Sequence, residues 1–516
     1  MALALLLLLC SQASAFQPNF LMLFLDQWRW DWAGFDAPDL RMPTIKSLAL
    51  GGTRFTQAYT PSPVCEGARF CLASVREYDE THMADFSDYN MSMPTWYSVL
   101  QNQSYHTMFT GKDDLTKHTG IGMDGRYHMS ELGLSDQIGR SSGKQGIFKK
   151  AQPGEPYGLL LQAHNATSPD GTSTTAYTAG RECYGYFRHP GQCCVDLSSA
   201  RGQGAENCLT PDTAGDELYL DNYVGQSAEL LLERAPLEKP WALHVSFPGP
   251  HPPFIITKAM NESISGRTYP SATDNPPWDE EMNVRRQYAA EIENLDALMA
   301  RIIKKVEHSG QLNRTLIVVT GDHGEELGDH GNFGKSKPWE GAVHVPLIVK
   351  GPGVAAGRTV TLPVTTLDVI GTFLDRADAP LAPGMSGRSL WPLLSDTSNP
   401  HEANYRGHVN IGLGNFRAVV KRFNHTSTLK LICCDGDCPG RNPSVVTPRQ
   451  PTEEMSLMLF NMTAHSMDMD LVNISQHGEK EAREMIKVLP SPYDTKCAAT
   501  LASRISLASP TYLTFL

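Results

Sequence analysis

The chain has 516 residues, 41% of them hydrophobic and 19% charged, with a formal net charge of -12. That length predicts one large domain plus a smaller one, with the composition of a globular enzyme. The acidic balance and the lack of a basic patch exclude nucleic acid as a partner. No run is long enough for a bilayer-spanning helix, so no stable membrane insertion is expected.

The N-terminal run Ala2 to Leu9, followed by Ala13-Ser14-Ala15, reads as a signal peptide over residues 1–15. A secreted or lysosomal/lumenal protein, reached by the secretory pathway, is therefore expected. Phe20 to Leu25 is continuously apolar, as a strand buried on both faces requires, and it stops at Asp26-Gln27. Next come Cys65-Glu66-Gly67-Ala68-Arg69 and, after Tyr105-His106-Thr107, the segment Gly111-Lys112-Asp113-Asp114. Residues 140–220 are rich in Gly, Ser, Thr and Cys and read as a disulfide-tied surface excursion.

Trp241 to Phe247 repeats the apolar strand design and stops before Pro250-His251-Pro252. Tyr288, Ile292, Leu295, Met299, Ile302 and Val306 recur at helical spacing, with Gly310 as the C-terminal stop. Thr315 to Val319 is a third strand, running into Gly321-Asp322-His323-Gly324, then Gly334-Lys335 and Glu340-Gly341; Val343 to Val349 is a fourth. Apolar strands alternating with helices predict an α/β fold, a large mainly parallel sheet flanked by helices, over residues 16–395. In such a sheet the polar residues beyond the carboxyl ends of the strands converge on one edge. Phe416 to Val420, Leu429 to Ile432 and Met458 to Phe460 read as short antiparallel strands of a small C-terminal α+β subdomain, 396–516.

With Cys10 in the leader, ten cysteines remain. Cys183, Cys193, Cys194 and Cys208 form one cluster; Cys433, Cys434, Cys438 and Cys497 form another. Neither has paired zinc spacing, so both predict disulfides of open connectivity. Cys71 reads as a small apolar core residue. Eight N-x-S/T sequons, at Asn90, Asn102, Asn165, Asn261, Asn313, Asn424, Asn461 and Asn473, fit a glycosylated chain.

An Asp and a His at a strand end can both ligate a metal, and neighbouring glycines let the backbone approach closely. The oxygen donors of Asp26, Gln27 and Asp322 suit a hard cation such as Ca²⁺ or Mg²⁺, while His323 leaves room for a transition metal. The bland alternatives are a polar loop capping the next helix and, for Gln27, a hydrogen bonder behind the ligands.

These segments together resemble the sulfatase family, from Asp26 to about Leu394. The resemblance implies a metal held by Asp26, Gln27, Cys65, Asp322 and His323: Ca²⁺, with Mg²⁺ or Mn²⁺ as alternatives. It implies that a formylglycine-generating enzyme of the secretory pathway oxidises Cys65 to formylglycine. One hydroxyl of the hydrated aldehyde attacks sulfur, and the other expels sulfate. Lys112 and Lys335 would hold sulfate oxygens, and His251 would donate to the leaving-group oxygen. With Arg69 and Arg76 these lysines would complete an anion hole, so the implied catalytic residues are Cys65, Arg69, Lys112, His251 and Lys335. The substrate class is a sulfated small molecule or glycan.

The chain departs from the family pattern at Gly67 and Ala68, where Pro or Ala and then Ser are usual. Ser74-Val75-Arg76 replaces Thr-Gly-Arg, and Asp114 stands in place of a His, with His118 nearby. Two other readings stay open: a phosphate or phosphonate ester hydrolase of the same superfamily, and a catalytically inactive sulfatase-like protein that binds sulfated ligands.

Overall fold

The computed structural model describes residues 17–37, 39–81, 89–115, 131–141, 187–189, 192–195, 219–252, 254, 256–272, 279–395, 405–424, 427–435, 438, 457–462 and 478–507. The leader at 1–15, nearly all of the 140–220 excursion with the side chains of its four cysteines, His118, Asn165 and Asn473 lie outside the described residues.

The main strands are β1 (Asn19–Leu25), β2 (Thr53–Tyr59), β3 (His106–Lys112), β4 (Asp136–Ser141), β5 (Phe187–His189), β6 (Gln192–Val195), β7 (Trp241–Phe247), β8 (Thr315–Gly321), β9 (His344–Lys350), β10 (Arg358–Val360) and β11 (Val364–Thr365). Among the described residues, one sheet runs in the order β10-β2-β9-β8-β1-β7-β3-β4, with β11 also on β2, while β5 and β6 pair separately. All seven residues of β1 are buried. Their alternation divides them between two cores. Phe20, Met22 and Phe24 pack on one face with Phe70, Cys71 and Phe373. Leu21, Leu23 and Leu25 pack on the other with Tyr288, Ile292, Leu295 and Met299.

Helix α1 (Cys65–Ser74) covers the first face and helix α2 (Asp279–His308), which carries the predicted stripe, covers the second. Gly310, just past α2, takes φ +74, as a left-handed helix stop does. β1 is parallel to both β7 and β8, and β7 is parallel to β3. The carboxyl ends of these four strands therefore line up. β9 runs antiparallel to β8 and β2, so the sheet is mixed and mostly parallel.

A second sheet, fully antiparallel, is built from β12 (His408–Leu413), β13 (Phe416–Asn424), β14 (Ser427–Cys434) and β15 (Leu457–Asn461). Helices α3 (Glu479–Ile486) and α4 (Tyr493–Leu507) pack on one face through Met485, Ile486 and Leu501. Cys433 is joined to Cys497 of α4, and Cys434 to Cys438. Cys71 is a free, fully buried thiol, and burial, then Glu77 and Asp79, push its pKa well up. It is inert core, as its apolar setting demands.

Buried Lys430 on β14 meets buried Glu340 at 2.9 Å, and Glu340 also accepts from His344 Nδ1 at 2.9 Å. Burial pushes the Glu340 carboxyl up, but Lys430 and His344 pull it down to about 2. This ion pair ties the second sheet to the segment between Lys335 and β9. An unpaired charge in its place would cost several kcal/mol, on the order of 3–5.

Candidate active site

Four strand ends deliver four polar groups to one place. Asp26-Gln27 follow β1, Lys112 ends β3, His251 follows β7 and Asp322-His323 follow β8. Backbone bonds hold the edge together: the Asp26 N–H donates to the Phe247 and Gly249 carbonyls, and the Asp322 N–H to Leu25. β2 leads through the turn 60–64 to α1, whose first residue is Cys65.

Cys65 is 6% exposed. Its Sγ lies 2.8 Å from Lys335 Nζ, 3.1 Å from His323 Nε2 and 3.5 Å from Asp26 Oδ1. Burial and Asp26 push the thiol up, but Lys112, Lys335 and His323 outweigh them and bring it down to about 6. The helix N-terminus favours the same anionic form.

The departures around Cys65 have local explanations. A Cβ on Gly67 would come 2.6 Å from Ser62 Oγ, so Ser62 fills the space that a larger residue at 67 would need. Val75 ends α1 in the left-handed conformation, φ 55, which the family's usual Gly adopts without strain. Arg76, implied alongside Arg69 for the anion hole, donates through Nη2 to the Pro383 carbonyl at 2.6 Å. It lies two residues past the end of α1.

Arg69 is held by groups of the chain itself. Its Nε and Nη2 grip Asp322 at 3.0 and 2.9 Å, and its Nη1 donates to the Lys112 carbonyl and Ser246 Oγ, each at 2.7 Å. The guanidinium is thus held by the protein and binds carboxylates together. Asp322 also accepts the N–H groups of Gln27 (2.9 Å) and His323 (2.8 Å); burial, then Asp26, push its pKa up, against the pull of His323 and Arg69.

Asp26 is fully buried and ion-pairs with Lys112, with Arg69 3.7 Å away. Burial alone would raise its pKa; Lys112, His251, Lys335 and Arg69 hold it well below the usual range. Lys112 also meets Asp114 at 3.1 Å. Asp114, buried at φ 52, therefore stands as a counter-ion to the lysine where the family pattern has His. Lys335 Nζ bridges Gln27 Oε1 (2.9 Å) and Cys65.

His251 is 4% exposed, and its Nδ1 donates to the Pro252 carbonyl at 2.5 Å. Burial and Lys335 push its pKa well down, so it is neutral, with the proton on Nδ1. Buried Asp221 accepts the Gly249 N–H at 2.8 Å and fixes the turn that carries this histidine. No local pattern marked Asp221 in the sequence. Glu325 was missed for the same reason: it accepts from the Gln27 side chain across 298 positions.

Behind Arg69, His244 of β7 is buried among Phe24, Trp96 and Phe109, with Nδ1 2.6 Å from the Tyr97 hydroxyl. Burial, then Arg69, lowers its pKa well below the ordinary value. The unfolded chain takes up this proton below pH about 6.5 and the fold does not, so acid destabilises the fold. Below pH about 6.5 this histidine adds a slope of up to about 1.4 kcal/mol per pH unit. His244→Gln is expected to flatten the decline in urea stability between pH 7 and 5. An unaltered slope would mean that His244 is protonated in the fold.

The donor atoms of Asp26, Cys65, Asp322 and His323 all lie within 4.8 Å of one another, and all four residues are buried. Two carboxylates, an imidazole Nε2 and the nearby Gln27 carbonyl oxygen fit a divalent cation. His323 Nδ1 donates to the Gly324 carbonyl at 2.9 Å, which turns Nε2 toward the cluster.

The mostly parallel sheet gathers a buried cysteine, carboxylates and lysines at its carboxyl edge, the layout of a hydrolytic α/β site. The family model described as Sulfatase matches residues 18–379, and the chain belongs to the sulfatase family of sulfuric ester hydrolases. It is 26% identical over 515 residues to a choline-sulfatase of Rhizobium meliloti, covering 91% of this chain and 90% of that one. It is 31% identical over 385 residues to arylsulfatase K of Danio rerio, covering 70% of this chain and 66% of that relative. A phosphonate monoester hydrolase of Agrobacterium radiobacter shares the fold with a TM-score of 0.66 at 17% identity, covering 95% and 96% of the two chains.

Proposed function

We propose that the chain hydrolyses sulfate esters, with Cys65, as formylglycine, supplying the nucleophile and Asp26, Gln27, Asp322 and His323 holding a divalent cation. The observation that carries this reading is the buried convergence of those side chains around Cys65. Ca²⁺ suits the oxygen donors best, with Mg²⁺ or Mn²⁺ as alternatives. A cation held there would supply positive charge where the ester oxygens gather negative charge in the transition state. Formylglycine, once hydrated, supplies one hydroxyl for attack on sulfur and a second for release of sulfate, which a thiol lacks.

The rest falls to the chain's own groups. Lys335, beside both Cys65 and Gln27, is placed to meet an ester oxygen next to the nucleophile. Lys112 contributes a second positive charge, tempered by Asp114. Arg69 keeps the two carboxylates together. His251 starts neutral with its proton on Nδ1, so Nε2 is placed to take the proton that the attacking hydroxyl loses and pass it to the leaving oxygen.

A sulfated small molecule or glycan is the proposed substrate, in keeping with the sulfatase names of the relatives. Passage through the secretory pathway, a cleaved leader at 1–15, encounter there with a formylglycine-generating enzyme, and a C-terminal subdomain from 396 belong to the same proposal. Exposed sequon asparagines at Asn90, Asn102, Asn313 and Asn424 support it. A phosphate or phosphonate ester hydrolase is the second reading, favoured by the Asp26-Gln27 and Asp322-His323 segments; Asp114 in place of His favours the inactive binding protein instead.

The test combines two measurements on protein from the native host. The mass of the peptide carrying Cys65 is expected to report the aldehyde. Turnover of an aryl sulfate is expected to exceed that of the matching aryl phosphate and phosphonate. Faster phosphate or phosphonate turnover sinks the sulfatase assignment; an intact thiol with no turnover favours the binding-protein reading.

A further inference from the structure

We propose that Glu325 is the positioning residue that makes glutamine a usable cation ligand at position 27. Gln27 is fully buried, and its backbone is held in the left-handed region, φ 68. Its N–H donates to Asp322 and its carbonyl accepts from the Tyr288 hydroxyl at 2.7 Å. The side chain therefore springs from a fixed point, and only the sense of its amide remains to be set.

Two neighbours set it. Oε1 accepts from Lys335 Nζ at 2.9 Å, and Nε2 donates to Glu325 Oε2. An ammonium group only donates, and a carboxylate only accepts. The amide has one arrangement that satisfies both, with oxygen toward Cys65 and the carboxylates and nitrogen away. Glu325 is itself fully buried and anchored, because its other oxygen, Oε1, accepts the N–H groups of Leu327 (3.1 Å) and Gly334 (2.5 Å). It thus grips the loop leading to Lys335 with one oxygen and the Gln27 amide with the other. A glutamate side chain at 27 would instead set two acceptor-only groups against each other.

The division of labour between the two Glu325 oxygens permits a clean exchange. In Glu325→Gln, Oε1 can keep both loop bonds while Nε2 takes the place of Oε2. That amide then meets the Gln27 Nε2, donor against donor, and Gln27 must flip or lose its partner. In Gln27→Glu, carboxylate meets carboxylate. In the double variant the new amide donates to the new carboxylate, and the bond is restored with its sense reversed. It also gives the cation cluster a charged oxygen in place of a neutral one.

The cation part rests on the proposed function; the coupling of Gln27 to Glu325 does not, so the experiment reads them separately. Thermal melting of the full chain in chelator is expected to show each single variant lowered by a few degrees, about 2–4 °C, and the double recovering most of the loss. Calorimetric titration with Ca²⁺ is expected to show Glu325→Gln weakened by about 10- to 100-fold, the usual range for a residue that orients a ligand. The double variant is expected to bind at least as tightly as the unaltered chain. Single variants that melt with the unaltered chain, or a double no better than either single, overturn the coupling. Ca²⁺ affinity of Glu325→Gln within about twofold of the unaltered chain overturns the positioning role. An unaltered chain that takes up no Ca²⁺, Mg²⁺ or Mn²⁺ overturns the cation reading, while the melting cycle still decides the coupling.

Discussion

Cys65→Ala is expected to leave a folded chain whose aryl sulfate turnover is lower by a factor on the order of 10⁴–10⁶, the usual cost of removing a nucleophile. The fold should tolerate the change. Cys65 opens α1, and the new methyl keeps the helix while deleting one sulfur from a polar centre. Lys335 retains its bond to Gln27 Oε1, so its ammonium is not stranded. Cys65→Ser separates the roles of the two oxygens that formylglycine would bring. A serine hydroxyl can attack sulfur once, forming the O–S bond as the ester bond to the leaving oxygen breaks. With no second hydroxyl on the same carbon to expel sulfate, radiolabelled sulfate should stay on the protein. Turnover by Cys65→Ala within tenfold of the unaltered chain would show that Cys65 is not the nucleophile, whatever its neighbours.

The strand ends were legible because they are changes of solvent preference written over a few residues. Phe20 to Leu25 can lie only in a core, and Asp26 can end such a run only at an edge. The same logic placed Asp322 and His251, and the structure brings all three to one edge. The direction of β9 was not legible, since an apolar run reads the same whichever way its neighbours point. The partners of site residues were hidden for a different reason. Gln27 and Glu325 lie 298 positions apart, and nothing in either local pattern names the other. The family resemblance implied an anion-binding Arg69. Its actual partners, Asp322 and the Lys112 carbonyl, lie 253 and 43 positions away. Arg76 shared the reading and is drawn off to Pro383.

Arg69→Ala is the second change with a large expected effect, and it acts first on stability. The guanidinium is 3% exposed and engages Asp322 through two nitrogens, with Asp26 close by. Its removal leaves two buried carboxylates with less positive charge around them, and deleting one partner of a buried pair costs about 3–5 kcal/mol. Arg69→Lys should recover little, because one ammonium cannot span Asp322, Ser246 Oγ and the Lys112 carbonyl together. The loss should be greatest in chelator. A cation bound by Asp26 and Asp322 would supply part of the missing charge, and binding to the folded state alone stabilises it by mass action. Urea unfolding with and without excess Ca²⁺ checks this: the variant should gain more from the cation than the unaltered chain does. An Arg69→Ala chain as stable as the unaltered one in chelator would mean that the carboxylates need no internal counter-charge. The guanidinium would then be left for the ester oxygens, the anion-hole role that the family resemblance implies.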